Sequence, residues 1–283
     1  MGISADQFYV IDDESTDGTG QWIKSNFPNI RYEFNSIGKG YIPNRSRMMT
    51  ETKRNFVLSL DDDSHVRSEL ELQTALALLA SKKEYGIYHF RIFNQIAPPP
   101  PSDALPATIQ LLRSYIGCGH IIKREVINSL GAYFSPLEFY GEELEYSIRA
   151  YQKGWRVVTQ DNLVVHHRID RQVRKASTNS DLSKGVYGKQ WRDCMLYSNN
   201  IVITELHYPW GLKSLFSVYR LWLCFVATFV KDRNFAVVVE VVKRIVRLRK
   251  VIYATRKDAF TTTELYTWLK SPVITSDMNH FGR

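Results

Sequence analysis

The sequence predicts an α/β protein: a mostly parallel sheet flanked by helices, with amphipathic helices at the C-terminal end. Three observations carry this. Short apolar runs alternate with helical patterns from Phe8 to Leu79, the order that builds a parallel sheet through crossover helices. The run Phe56-Val57-Leu58-Ser59-Leu60 ends in Asp61-Asp62-Asp63, as a buried strand does when it delivers polar groups to the carboxyl end of such a sheet. From Trp191 onward the pattern is helical, with Val237, Val238, Val241, Val242, Ile245 and Leu248 on one face and Lys243, Arg244, Arg247 and Lys250 on the other.

In chain order, Phe8 to Ile11 is the first strand, and Asp12 to Thr19 is a turn feeding a helix that begins near Trp22. Pro28 and Asn29 close that helix. Ile30 to Phe34 alternates as a strand, and Asn35 to Gly40 is a loop. Pro43 to Thr52 is a helix carrying Arg45. After the acidic strand end, Glu69 to Leu79 is an amphipathic helix and Gly86 to Phe93 a strand. Pro98 to Pro101 is stiff and extended, a surface loop or hinge. Lys123 to Leu130 is a short helix closed by Gly131. A further helix starts at Gly141-Glu142-Glu143, and strand segments follow at Val157-Val158 and Val164 to His167. Arg168 to Lys189 reads as a basic, mobile loop. The expected division is residues 1–205 as the α/β domain and 206–283 as a C-terminal helical segment.

Length suffices for one or two domains with a full core. With 37 basic against 29 acidic residues, the formal charge of +8 calls for an anionic partner, a phosphate-bearing substrate or a membrane surface. Nucleic acid is disfavoured: the basic residues gather in the C-terminal helices and one loop, with no recognised binding motif. Cys118, Cys194 and Cys224 lie far apart without a CxxC pair, so neither a disulfide framework nor a zinc cluster is expected, and a reducing compartment fits. Met1 to Gln7 shows no signal-peptide pattern. Leu215 to Val230 is the most apolar stretch but is interrupted by Arg220 and falls short of the ~20 residues of a spanning helix. Beside the basic helix it suits a membrane surface instead, which places the protein in the cytoplasm or peripherally on the inner face of the membrane.

Asp61 to Asp63 repel one another, and a divalent cation bound through oxygen is the natural offset. Two more polar clusters sit at element ends: Gly141-Glu142-Glu143, and His166-His167. With Ile11-Asp12-Asp13-Glu14-Ser15-Thr16-Asp17-Gly18-Thr19, with Asn35, Gly38 and Arg45, and with Gly117-Cys118-Gly119-His120, they stand in a fixed order. Arg149, Tyr197 to Asn200 and Tyr208-Pro209 continue it. This series resembles the inverting family-2 glycosyltransferases of the GT-A fold, a Rossmann-like, mostly parallel sheet flanked by helices. The likeness extends over about Asp6 to Pro209.

The resemblance implies a sugar moved with inversion from a nucleotide-sugar donor, with UDP the expected carrier, to a glycan or lipid-linked acceptor, with Mn2+ or Mg2+. It assigns Asp12, Asp13, Arg45, Asp61 and Asp62 to the nucleotide sugar, Gly117, Cys118 and Gly119 to the acceptor, and Asp61, Asp63 and one of His167 and His166 to the metal, His167 preferred. Glu143 stands where the family places its base, with Glu142 the runner-up. Glu replaces the family's Asp there, shifting the carboxylate by about one bond, and ~1 Å matters in such sites. The family also opens with a strand and helix before its V-D-D turn. Here Val10 follows Met1 by nine residues, so the expectation is either a fragment with a wrong start or a chain that has lost that unit. The alternative is a non-catalytic GT-A protein acting as a binding or scaffold module. A phosphate-loop phosphotransferase is disfavoured, because no G-x-x-x-x-G-K-S/T is present.

Overall fold

A computed structural model describes residues 4–168, 188–231, 233–256 and 259–273. The loop expected from Arg168 to Lys189 lies almost wholly outside the described residues.

The chain alternates β1 (Tyr9–Asp13), α1 (Thr19–Asn26), β2 (Arg31–Asn35), α2 (Tyr41–Glu51) and β3 (Phe56–Ser59). Then follow β4 (Ser64–Val66), α3 (Glu69–Ser81), β5 (Tyr85–Asn94), β6 (Ile109–Leu112), β7 (His120–Lys123), α4 (Arg124–Leu130), α5 (Glu142–Gln152) and β8 (Arg156–His167). The C-terminal helices are α6 (Lys189–His207), α7 (Trp210–Phe225), α8 (Phe235–Thr255) and α9 (Thr262–Lys270). A π-helical turn, Val226–Lys231, extends α7.

β1 and β2 pair in parallel as a sheet of their own. The larger sheet runs β3-β7-β5-β8-β4, with β6 also on β8. β5 and β8 are parallel, whereas β3–β7, β5–β7, β4–β8 and β6–β8 are antiparallel. This corrects the expectation of a mostly parallel sheet. The acidic strand β3 pairs with β7, some sixty residues away and running against it. β3 is partly buried along its length, with Val57 packed against the core on one side of the sheet and Phe56 and Leu58 against the core on the other. Val157-Val158 and Val164 to His167 are ends of a single 12-residue strand; Thr159 and Gln160 still pair with β6, and the register on β5 shifts between Thr159 and Val164.

The interior of β5 and β8 explains why these two strands anchor the sheet. Ile87, Tyr88, Phe90, Val158, Val164 and Val165 are all fully buried, and each such side chain contributes about 1.5–3 kcal/mol of burial. α3 covers one side with Leu72, Ala75 and Leu79. On the other side a single core joins Ile122, Val126 and Tyr146 to Val202, Leu206, Leu248, Leu265 and Trp268, so the C-terminal helices share the core of the sheet.

A second correction concerns α7. The helix starts at Trp210, directly after Pro209, and runs on to Val230, a span of 21 residues long and apolar enough to cross a membrane by length and composition. The added first turn is what a count from Leu215 omits. Along this helix Leu215, Val218, Tyr219 and Trp222 are 66, 67, 52 and 55% exposed, while Cys224 and Thr228 are buried. The apolar face points outward.

Candidate active site

Seven segments converge on one cleft of about 1240 Å³: the end of β1, α2, the β3–β4 turn, the end of β5, the loop before β7, the start of α5 and the end of β8. The turn after β3 is closed by Ser64, whose Oγ accepts from the Asp61 N–H (2.9 Å) and donates to the Asp61 carbonyl (2.8 Å). This fold-back puts Asp61 and Asp63 on the cleft wall and leaves Asp62 exposed at its edge.

Asp61 Oδ1 accepts from Arg45 Nη2 at 2.8 Å. Asp63 Oδ1 lies 2.9 Å from His167 Nε2; it is buried and accepts no hydrogen bond. The pairing of β4 with β8 sets this contact, because Ser64 stands opposite His167. β5 fixes the imidazole from behind: Asn94 is the register partner of His167, and its Oδ1 accepts from Nδ1–H at 2.8 Å. In the neutral ring that hydrogen bond leaves the Nε2 lone pair facing the Asp63 oxygen, two acceptors in contact, an arrangement that a shared cation or proton relieves. His166, one residue earlier on the strand, points to the other face. Its Nε2 is 2.7 Å from the carbonyl of Gln95 and its ring packs on His65 and Phe93. The structure therefore brings His167 to the acidic turn and does not bring His166.

Cys118 is the residue that sequence reasoning left out of the metal set. Potential ligand atoms of Asp61, Cys118 and His167 lie within 4.8 Å of one another. Burial pushes the Cys118 thiol up to about 11, and a protonated thiol is a poor ligand. The carboxylate and imidazole donors fit a hard divalent ion such as Mn2+ or Mg2+ better than zinc.

Arg45 links the two acidic walls. Besides Asp61, its Nη1 lies 3.7 Å from Glu142 Oε1, and the guanidinium is largely buried, resting on the Tyr41 ring. Glu142 is fully buried with neither carboxylate oxygen accepting a hydrogen bond. Its carboxyl is pushed well above the usual range by burial and by the neighbouring Glu143. Glu143 Oε1 accepts from the Gly117 N–H at 3.0 Å, and burial raises its carboxyl as well. A Cβ at Gly117 would come within 2.5 Å of Arg45 Nη1 and 2.6 Å of Glu143 Oε1, so a larger residue would displace one of these two side chains.

Of the other residues singled out from sequence, Asp13 lines the cleft but is engaged by the loop before α2. It accepts from the N–H groups of Lys39 (2.9 Å) and Gly40 (2.8 Å) and from Asn35 Nδ2 (2.8 Å). Burial acts to raise its carboxyl, yet these bonds hold it below the ordinary range. Asp12 lies outside the cleft lining and binds Ser15 N–H (2.9 Å) and Tyr32 Oη (2.7 Å). Cys118 lines the cleft, whereas Gly119 does not. Gly119 has φ +85°, and a Cβ there would press on Ile92 and Val165, so it serves the packing of β7 on the sheet.

Residues 3–129 match the family model Glycosyl transferase family 2, and residues 112–218 match the model Glycosyltransferase (GlcNAc). No curated protein matches the sequence. Among solved structures, S. aureus TarS residues 1–349 in complex with UDP-GlcNAc superposes with a TM-score of 0.53 at 14% identity, over 89% of this chain and 76% of that one. GalNAc-T7 with UDP, GalNAc and Mn2+ superposes with a TM-score of 0.51 at 17% identity, over 71% of this chain; the chain spans only 41% of the GalNAc-T7 chain. The sheet and its flanking helices share the fold of these two proteins. The likeness to glycosyltransferase family 2 extends over residues 3–129, somewhat under half of the chain.

Proposed function

We propose that the chain transfers a sugar, with inversion, from a UDP-linked donor to a lipid-linked or glycan acceptor at a membrane surface. The observation that carries this reading is a single cleft lined by Asp61, Asp63 and His167 together with Arg45 and Glu143. UDP-GlcNAc is the donor to test first, on the strength of the second family description and the TarS complex.

Asp61, Asp63 and His167 would hold a divalent ion, which neutralises charge on the departing diphosphate. Arg45, preorganised between two carboxylate clusters, stabilises the same charge without reorientation. Glu143 takes the proton of the acceptor hydroxyl. The Gly117 N–H on its Oε1 aims the carboxylate, and burial raises its proton affinity toward that of a useful base. Inversion follows from a base on the side opposite the leaving group, with no second carboxylate needed as nucleophile. Peripheral location at the inner face of the membrane is supported by the outward apolar face of α7 and the exposed basic residues of α8, since that leaflet is anionic.

Calorimetric titration of the folded chain with UDP, with and without Mn2+, tests the reading. Binding that requires Mn2+ is expected. Absence of binding for UDP and for other nucleoside diphosphates would replace it with the scaffold reading.

A further inference from the structure

A second cavity, of about 610 Å³, lies beneath the start of α5 and opens between α7 and α9. Glu143 lines both this cavity and the acidic cleft, and among the described residues no other does so. A base that receives a proton from an acceptor while the donor sits on its other side must occupy such a shared wall. The far end of the cavity is apolar, formed by Phe216, Tyr219 and Leu223 of α7 and Trp268 and Leu269 of α9. Tyr219 and Leu223 are partly exposed and adjoin the outward apolar face of the same helix. Two arginines stand on the wall. Arg220 donates to Asn200 Oδ1 (2.6 Å) and Arg113 to the carbonyls of Leu269 and Ser271; neither is paired with a carboxylate among the described residues.

We infer that this cavity receives the acceptor, and that the acceptor is an aliphatic chain joined through a phosphate diester to a group bearing a free hydroxyl. Its chain leaves between Phe216, Leu223 and Trp268 toward the membrane-facing side of α7, its phosphate meets Arg113 and Arg220, and its free hydroxyl end reaches Glu143. An uncharged glycan would leave both cations uncompensated and the apolar exit unfilled. The inference rests on Glu143 being the base, and the test below separates the two.

The probe is dodecyl phosphate bearing a diazirine in its chain, photolysed with the full chain in the presence of UDP and Mn2+, with labelled peptides mapped by mass spectrometry. Labels are expected on the segments holding Phe216 to Leu223 and Trp268-Leu269, competed by plain dodecyl phosphate and not by inorganic phosphate. Leu223→Arg, at a partly exposed position, is expected to cut labelling by about tenfold or more, with UDP binding by calorimetry unchanged. Labelling that maps elsewhere, or that persists in Leu223→Arg, overturns the acceptor cavity while UDP binding stands. Loss of UDP binding with labelling intact removes the donor reading and leaves the lipid cavity supported.

Discussion

At the scale of single residues, the site turns on atoms whose needs are not met within the protein. Asp63 Oδ1 is buried without a donor beside the imidazole of His167. Asp63→Ala is expected to lower metal-dependent transfer by about 100-fold or more, since losing even an outer partner of a metal ligand costs about 10–100-fold. The melting temperature should hold or rise, because the change removes an unpaired buried acceptor. Transfer at the wild-type rate would end the metal assignment. Glu143 gives a second test. As the proposed base it must be a carboxylate, and burial favours its protonated form, so transfer should fall as pH is lowered, with the acid limb of kcat above the ~4.3 of an ordinary Glu. In Glu143→Gln transfer should be lost and UDP binding kept; loss of binding would mark the residue as structural. The two histidines show why sequence was insufficient here. Adjacent strand residues face opposite ways, but which of them faces the acidic turn is set by the register of β4 and β5 on β8, a fact held by residues some 70–100 positions away.

At the scale of elements, the start of α5 is presented by a loop under strain. Glu138, Tyr140 and Gly141 have φ of 61, 66 and 88°, and non-glycine residues in that region cost of order 1–3 kcal/mol each. α6 holds the loop down: Asn199 Nδ2 reaches the carbonyls of Leu137, Phe139 and Tyr140 at 2.8, 2.7 and 2.8 Å. α8 holds Asn199 in turn, through Arg244 Nη1 on Asn199 Oδ1 at 3.0 Å. Asn199→Ala is therefore expected to destabilise by about 1–3 kcal/mol through the orphaned carbonyls. It should also lower kcat about 100-fold through misplacement of Glu143, with donor affinity kept. A loss of stability alone, with kcat intact, would separate the clamp from catalysis. On the opposite side of Gly117, a buried network sets the loop before β7. His120 Nδ1 meets the Ile116 carbonyl at 3.2 Å, and its Nε2 meets Tyr133 Oη at 3.3 Å. Burial pushes this ring down to about 3, so it serves as a neutral donor and acceptor pair. Several helices were legible because capping and periodicity are local: Glu69 to Leu79 shows the period of α3, which Ser68 caps by accepting from the Glu71 N–H, and Gly131 ends α4, whereas α1 and α7 start at Thr19 and Trp210, about a turn earlier than the apolar pattern places them. Strand direction was not legible. Nothing in Phe56 to Ser59 says that its neighbour, β7, will run antiparallel, and the short β4 and β6 carry too few residues for a period to show.

At the scale of the whole molecule, charge and apolar surface fall on the same end. α7 turns Leu215, Val218, Tyr219 and Trp222 outward. α8, packed beside it on α6, exposes Lys243, Arg247, Arg249 and Lys250. An outward apolar face of this kind is costly in water and is removed when the helix lies in the interfacial plane of a bilayer. The basic residues add about 1 kcal/mol each near an anionic surface, screened within a Debye length. The full chain is therefore expected to float with vesicles containing phosphatidylglycerol, to float less with neutral phosphatidylcholine vesicles, and to be released in part as salt is raised. Val218→Glu with Trp222→Glu should abolish flotation and leave UDP binding intact, because neither side chain lines the acidic cleft. Arg247→Gln with Lys250→Gln should remove only the salt-sensitive part. Flotation that ignores both pairs of changes would place the contact elsewhere, and the exit of the second cavity would then no longer face lipid. Flotation that depends on both pairs would join the cavity, the base and the bilayer along one line, from membrane to Glu143 to the metal-binding turn.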